Sequence, residues 1–210
     1  MYDVNTVQEW AEMASKTEER RAALKDKLVV LAEAKIAEGG IGSLKARELA
    51  KDAGCALGAI YTVFDDLTAL ILAVNARSFD TLRKTVTGAV ATAGEQSPDQ
   101  RLITMSLAYL QFAQSQPHLW RALFEIDLDD GPAPDWYRAE LGGLMALITE
   151  PMAEIFPELN AEDTALTARA MFSSVHGIVL LGLDRATSGV PHDQIGAMIT
   201  LVLTRMVRNT

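Results

Sequence analysis

Leu49-Ala50-Lys51-Asp52-Ala53-Gly54-Cys55-Ala56-Leu57-Gly58-Ala59-Ile60-Tyr61-Thr62-Val63-Phe64 joins two short helical patterns at Ala53-Gly54-Cys55. Glycine enters the left-handed backbone region without a Cβ penalty. Gly54 therefore lets one helix stop and a second start at a steep angle. This is the layout of a helix-turn-helix, whose second helix can lie in the major groove of DNA.

Helical periodicity continues on both sides of this stretch. Upstream, Ser43 is placed to cap a short helix through Asp52, with Ala46, Leu49 and Ala50 facing inward. Before it, Leu24, Leu28, Leu31, Ala32 and Ile36 form a 3.6-residue stripe that predicts a helix from about Thr17 to Glu38, ended by Gly39-Gly40. The Ser15-Lys16-Thr17-Glu18 run reads as its capping box, and Asn5 to Ala14 as a separate short helix whose Trp10 packs an N-terminal arm onto the body. Downstream, Ala56 to Phe64 forms the next short helix. Asp66 then caps a long one from Leu67 to about Ala93.

Five further helices are predicted. Pro98 starts one that runs to about Ser115, and Pro117 starts another to about Ile126. Asp129 to Pro134 is the most loop-like stretch, and Asp135 caps a helix towards Ile155 that Pro151 should kink or end. Ala161 to Ala186 and Pro191 to Arg208 follow, with a turn at Ser188-Gly189-Val190. These last two helices are apolar over much of their circumference. Such helices need cover on more than one side, which predicts a helical-bundle interface with a second copy. Phe172, Val175, Val179, Leu183, Ile195, Ile199 and Val202 are the expected dimerisation residues. No segment alternates as a strand does, so the fold class is all-α.

Composition bounds the function. Of the 210 residues, 49% are hydrophobic, enough for a core. No apolar run reaches the ~20 residues of a membrane span, and no signal peptide is recognisable, so no membrane partner is expected. The single Cys55 excludes an intrachain disulfide and fits a reducing, cytoplasmic setting. The net charge of −9 disfavours a general nucleic-acid binder. Residues 18–68, however, hold eight Lys or Arg against nine Asp or Glu, so the acidity lies mostly elsewhere.

The pattern Arg47, Leu49-Ala50, Ala53-Gly54-Cys55, Gly58, Ile60-Tyr61, Phe64 and Leu70 resembles the signature of the tetracycline-repressor (TetR) family of bacterial transcriptional regulators, without an insertion. The resemblance implies an extension over residues 1–16, a three-helix helix-turn-helix DNA-binding domain over 17–66, and a helical ligand-binding and dimerisation domain over 67–210. It also implies a homodimer on a palindromic double-stranded operator, released from DNA as a repressor when a small apolar or aromatic effector binds. An effector pocket would then draw on Phe112, Trp120, Phe124, Met145, Met152 and His176. His176-Gly177 is similar to a His-Gly motif of one class of C-terminal domains in the family.

The expected DNA-contacting residues are Lys45, Arg47, Ala56, Leu57, Gly58, Ala59, Tyr61 and Thr62. Backbone N–H groups at Ala56 to Gly58 suit a phosphate. Leu57, Ala59 and Thr62 suit apolar contact with thymine methyls. Tyr61 has two readings, a phosphate contact or packing beside Phe64. The chain departs from the family at Ala56, Leu57, Val63 and Leu67, where polar or basic residues are usual. A second reading therefore stands: a dimeric small-molecule- or partner-binding protein of the same fold with weakened or lost DNA binding.

Other chemistry is sparse. Cys55 reads as a small core residue, with a redox switch assisted by Lys51 and Arg47 as the alternative. His118, His176 and His192 lie on different helices, so no metal site is expected, and no cofactor is implied. No phosphate loop or nucleophile elbow occurs, so an enzyme is not expected.

Overall fold

The computed structural model describes residues 4–126, 128, 131–184 and 190–208, with side chains outside 4–12, 14 and 208. Nine α-helices lie among them: α1 (Val4–Gly39), α2 (Ala46–Ala53), α3 (Leu57–Ile60), α4 (Leu67–Ala93), α5 (Pro98–Ser115), α6 (Pro117–Ala122), α7 (Asp135–Ile155), α8 (Ala161–Leu183) and α9 (Ile195–Arg208). Short 3₁₀ turns precede α2 and α9, and no strand occurs among the described residues.

The two helices expected before Gly39 are one continuous α1. Ser15 does not act as a cap. Its hydroxyl donates to Glu19 Oε1 at 3.3 Å, and Thr17 Oγ1 donates to the Met13 carbonyl at 2.8 Å, one turn back. A Ser or Thr that bonds within its own helix need not interrupt it. The Trp10 side chain lies outside the described residues. Ser43 likewise does not cap α2. It donates to the carbonyls of Lys35 and Gly40, and Lys45 stands at the N-cap.

Asp66 caps α4 as expected, its Oδ1 accepting from Ala69 N at 2.6 Å. Asn160 Oδ1 accepts from the N–H groups of Glu162 and Asp163 and so fixes the start of α8. Helix α7 runs on through Pro151, which is buried, to Ile155 rather than ending there. Asp129-Asp130 and Ser188-Gly189, expected loop residues, lie outside the described residues.

The described residues fall into two compact units. Those up to Asn75, with the segment beginning at Arg121, form one; those from Ala76 to Trp120 and from Gly131 onward form the other. In the first unit α1 packs on α2 and α2 on α3, over Leu28, Ile36, Leu49, Ile60 and Leu70, all fully buried. Lys35 Nζ lies 2.7 Å from Asp52 Oδ2 and ties α1 to α2. That hydrogen bond, the largest cause, raises the Lys35 pKa above its ordinary value.

In the second unit α5 packs on α7, α8 and α9, α7 packs on α8, and α8 on α9. Gly182 of α8 meets Ile195 at the start of α9 so closely that a Cβ there would lie 2.6 Å from two Ile195 side-chain carbons. Arg83 pairs with Glu140 at 2.5 Å, and Arg101 pairs with Glu154.

By length and composition alone helix α8 could cross a membrane, with a mean hydropathy of 1.4 over 18 residues, a test that a core helix also passes. Its Thr164, Ala168, Met171, Val175, Val179 and Gly182 are buried within the unit, the composition of a helix with a packed face.

Candidate functional site

Two places in the molecule carry functional geometry, one in each unit. In the first, α2 ends as the sequence demands. Gly54 has φ 68° and ψ 34°, the left-handed conformation. Its N–H donates to the Lys51 carbonyl, and the Cys55 N–H donates to the Ala50 carbonyl at 3.0 Å. This paired closure satisfies carbonyls that the helix end would otherwise leave bare. Cys55 is half-buried, with a free thiol.

Helix α3 is shorter than expected. Its α-helical part ends at Ile60, and three-residue turns carry the chain on to Val63. Ala56 stands at the N-cap with no side-chain cap bond, because its methyl cannot accept one. Ile60 and Phe64 are buried and anchor the segment, and the Lys25 ammonium sits 5.5 Å over the Phe64 ring.

The structure brings all eight expected DNA-contacting residues onto this short segment. Lys45, Arg47, Ala56, Leu57, Gly58, Tyr61 and Thr62 are exposed, and Ala59 is half-buried. Neither Lys45 nor Arg47 is held in an ion pair among the described residues. Both are therefore available to an outside anion. Tyr61 is 48% exposed, which fits either a phosphate contact or a ring packed beside Phe64 with its hydroxyl at the rim. The Thr62 hydroxyl donates to the Ala59 carbonyl at 2.7 Å.

The second place is a cluster of four rings. Trp120 Nε1 donates to Tyr109 Oη at 2.8 Å, and Tyr109 Oη lies 2.7 Å from His176 Nδ1. Indole N–H can only donate, so the Tyr109 oxygen accepts from it, while the direction of its bond with His176 follows the tautomer of the imidazole. Burial favours the neutral form of both rings. Desolvation lowers the His176 pKa, and desolvation, opposed by the Trp120 bond, raises that of the Tyr109 phenol. Phe172 stacks on His176 one turn away, with ring centres 5.7 Å apart, and meets Tyr109 edge-on at 5.8 Å. The Trp120 and His176 rings lie 5.3 Å apart.

This cluster is only partly the expected pocket. Trp120 and His176 belong to it. Phe112 and Met152 are fully buried core residues, and Met145 is half-buried. Phe124 lies in the other unit and is exposed. Tyr109, the central group of the cluster, was not among the six expected pocket residues, and Phe172 was placed at the dimer face. The available signal was the i,i+4 spacing of Phe172 and His176, which stacks them on one helix face.

The expected dimer residues also need correction. Val175, Val179, Ile195 and Ile199 are buried within their own unit, so they are closed to a second copy. Phe172, Leu183 and Val202 are half-buried. The apolar side chains that α8 and α9 leave outside are instead Leu166, Leu180, Leu181 and Leu201, each at least 42% exposed. Among the described residues, no group of three or more His, Cys, Asp or Glu is placed to hold a metal ion.

Comparison with known proteins gives the same architecture. Residues 102–206 match the family model described as Tetracyclin repressor-like, C-terminal domain. No curated protein matches the chain. Among solved structures, a protein of unknown function from Rhodococcus sp. RHA1 is 23% identical, with 87% of this chain and 94% of that one covered at a TM-score of 0.70. A TetR transcriptional regulator from Rhodococcus sp. RHA1 is 18% identical, with 91% and 98% covered at 0.61. RolR, in complex with its ligand resorcinol, is 16% identical, with 91% and 90% covered at 0.66. A matched family model spanning half of the chain, on a helical fold shared over most of its length, means that the chain belongs to the tetracycline-repressor-like family and has the fold of its transcriptional regulators.

Proposed function

We propose that the chain is a ligand-responsive, DNA-binding transcriptional regulator that works as a cytoplasmic homodimer and represses until a small aromatic effector binds. The observation that carries this reading is the exposed segment of α2 and α3, with two unpaired cations beside an apolar recognition helix. Residues 17–66 serve as the DNA-binding domain, 67–210 as the effector and dimer domain, and residues 1–16 extend α1. Two copies associate through Leu166, Leu180 and Leu181 of α8 and Leu201 of α9, since exposed leucines favour burial. The effector site centres on Tyr109, Trp120, Phe172 and His176, whose rings and polar atoms suit a small aromatic molecule with a hydroxyl. The resorcinol held by RolR supports that class.

The effector acts on DNA binding through α4. Asn75, buried on α4, donates its amide to the Ala122 carbonyl at the end of α6 at 2.8 Å. Trp120 lies two residues earlier on α6. An effector that shifts Trp120 would therefore pull on α4 and take the two recognition helices away from half-sites about 34–36 Å apart. One observation favours the second reading, a binding protein that has lost DNA affinity. No side chain from Cys55 to Phe64 is charged.

Binding of the purified protein to the DNA flanking its own gene, measured across a salt series, tests the regulator. Specific, salt-sensitive binding is expected. Arg47→Ala with Lys45→Ala should weaken it and lower the salt slope by about 0.9 for each phosphate contact removed. No specific binding at low salt would leave the second reading standing.

A further inference from the structure

We infer that α3 reads its operator through thymine methyl groups, with Leu57 as the principal reader. The inference rests on the DNA-binding role proposed above. The side chains that distinguish bases by hydrogen bonding are Arg and Lys at guanine, Asn and Gln at adenine, and Asp and Glu at cytosine. None of these occurs from Cys55 to Phe64. The hydrogen-bonding side chains on the exposed part of α3 and its exit turn are those of Tyr61 and Thr62. The Thr62 proton is already given to the Ala59 carbonyl at 2.7 Å, so Thr62 offers a groove its methyl group and its lone pairs.

What the segment offers to a major groove is chiefly apolar. Leu57, at the first position of α3, is 39% exposed. The one apolar feature of the major-groove edge is the C5-methyl of thymine.

Gly58 supplies a second, independent observation. Its φ is not positive, and a Cβ built on it would meet nothing within 4 Å. Neither backbone conformation nor internal packing requires glycine there. In a helix interior, glycine is less favourable than alanine. A missing side chain beside the exposed Leu57 allows an outside surface to come up against the backbone, and a groove floor with a methyl projecting from it is such a surface.

The test uses the whole chain, and the operator emerges from the experiment itself. Duplexes that bind are selected from a randomised double-stranded pool. Each thymine of the best duplex is then replaced singly by deoxyuridine, which lacks only the C5-methyl. At one or two thymines per half-site, uracil should weaken binding about four-fold, the worth of one buried methyl group. Leu57→Ala should bind the parent duplex more weakly by a similar factor and no longer distinguish thymine from uracil at that position. Because Leu57 is exposed, its truncation leaves the core intact, which an unchanged unfolding midpoint verifies. The inference is overturned if the wild-type protein binds parent and uracil duplexes equally, or if Leu57→Ala keeps the full uracil effect. If selection enriches no sequence, the regulator reading fails and this inference falls with it.

Discussion

The α2–α3 segment and the Tyr109–Trp120–Phe172–His176 cluster are built on opposite plans. The first is contiguous in sequence and turned outward. Its anchors, Leu49, Ile60 and Phe64, are buried, while Lys45, Arg47, Leu57, Tyr61 and Thr62 face solvent. The second draws on three helices, with Tyr109 and His176 separated by 67 residues, and is turned inward. A surface that meets a partner outside the chain needs only local scaffolding. A buried polar relay must instead satisfy every donor it contains. The two regions should therefore respond differently to change: the cluster through stability, the segment through recognition.

Trp120 marks one extreme of that contrast, at 1% exposure. Trp120→Ala is expected to lower unfolding free energy by about 3–5 kcal/mol in urea titrations. Tyr61→Ala on the exposed segment should stay within about 0.5 kcal/mol. Similar values for the two would dissolve the distinction.

Gly54 tests where the exposed segment is rigid. Gly54→Ala places a Cβ at φ 68° and should cost about 1–2 kcal/mol in thermal unfolding, although nothing crowds the site. An unchanged melting temperature would mean that the turn relaxes without loss.

The smallest effect is expected from pH. Burial holds the His176 pKa below its ordinary 6.5, so on acidification the unfolded chain takes up the proton first. The stability tied to this group is complete above about pH 6.5 and is lost as the pH falls from there through the folded value. His176→Gln should flatten that part of the stability profile. An identical slope in the variant would assign the dependence to other groups.

Legibility in the sequence followed the same divide. The α2–α3 turn was readable because Gly54 and the spacing of Leu49, Ile60 and Phe64 are local constraints. The bounds of α4 were readable because Asp66 supplies a side-chain cap and Gly94 a left-handed stop. Ser15-Lys16-Thr17 misled because a hydroxyl that can cap a helix can equally bond back one turn inside it, and no Gly or Pro forces the break. Val175, Val179, Ile195 and Ile199 misled because a helix apolar on two sides does not state which side its own fold will take. Tyr109 escaped because its role depends on an indole 11 residues away and an imidazole 67 residues away. Periodicity reports neither distance.

The contact at Gly182 has a consequence for anyone who wishes to separate assembly from folding. The first turn of α9 can lie against α8 only because position 182 has no side chain. Both helices carry outward leucines, Leu180 and Leu181 on one and Leu201 on the other. A single methyl added at 182 would press on the fully buried Ile195 and tilt those leucines against one another while leaving each of them chemically intact. In the dimer proposed above, subunit affinity thus has a control point inside the protomer, out of reach of any partner.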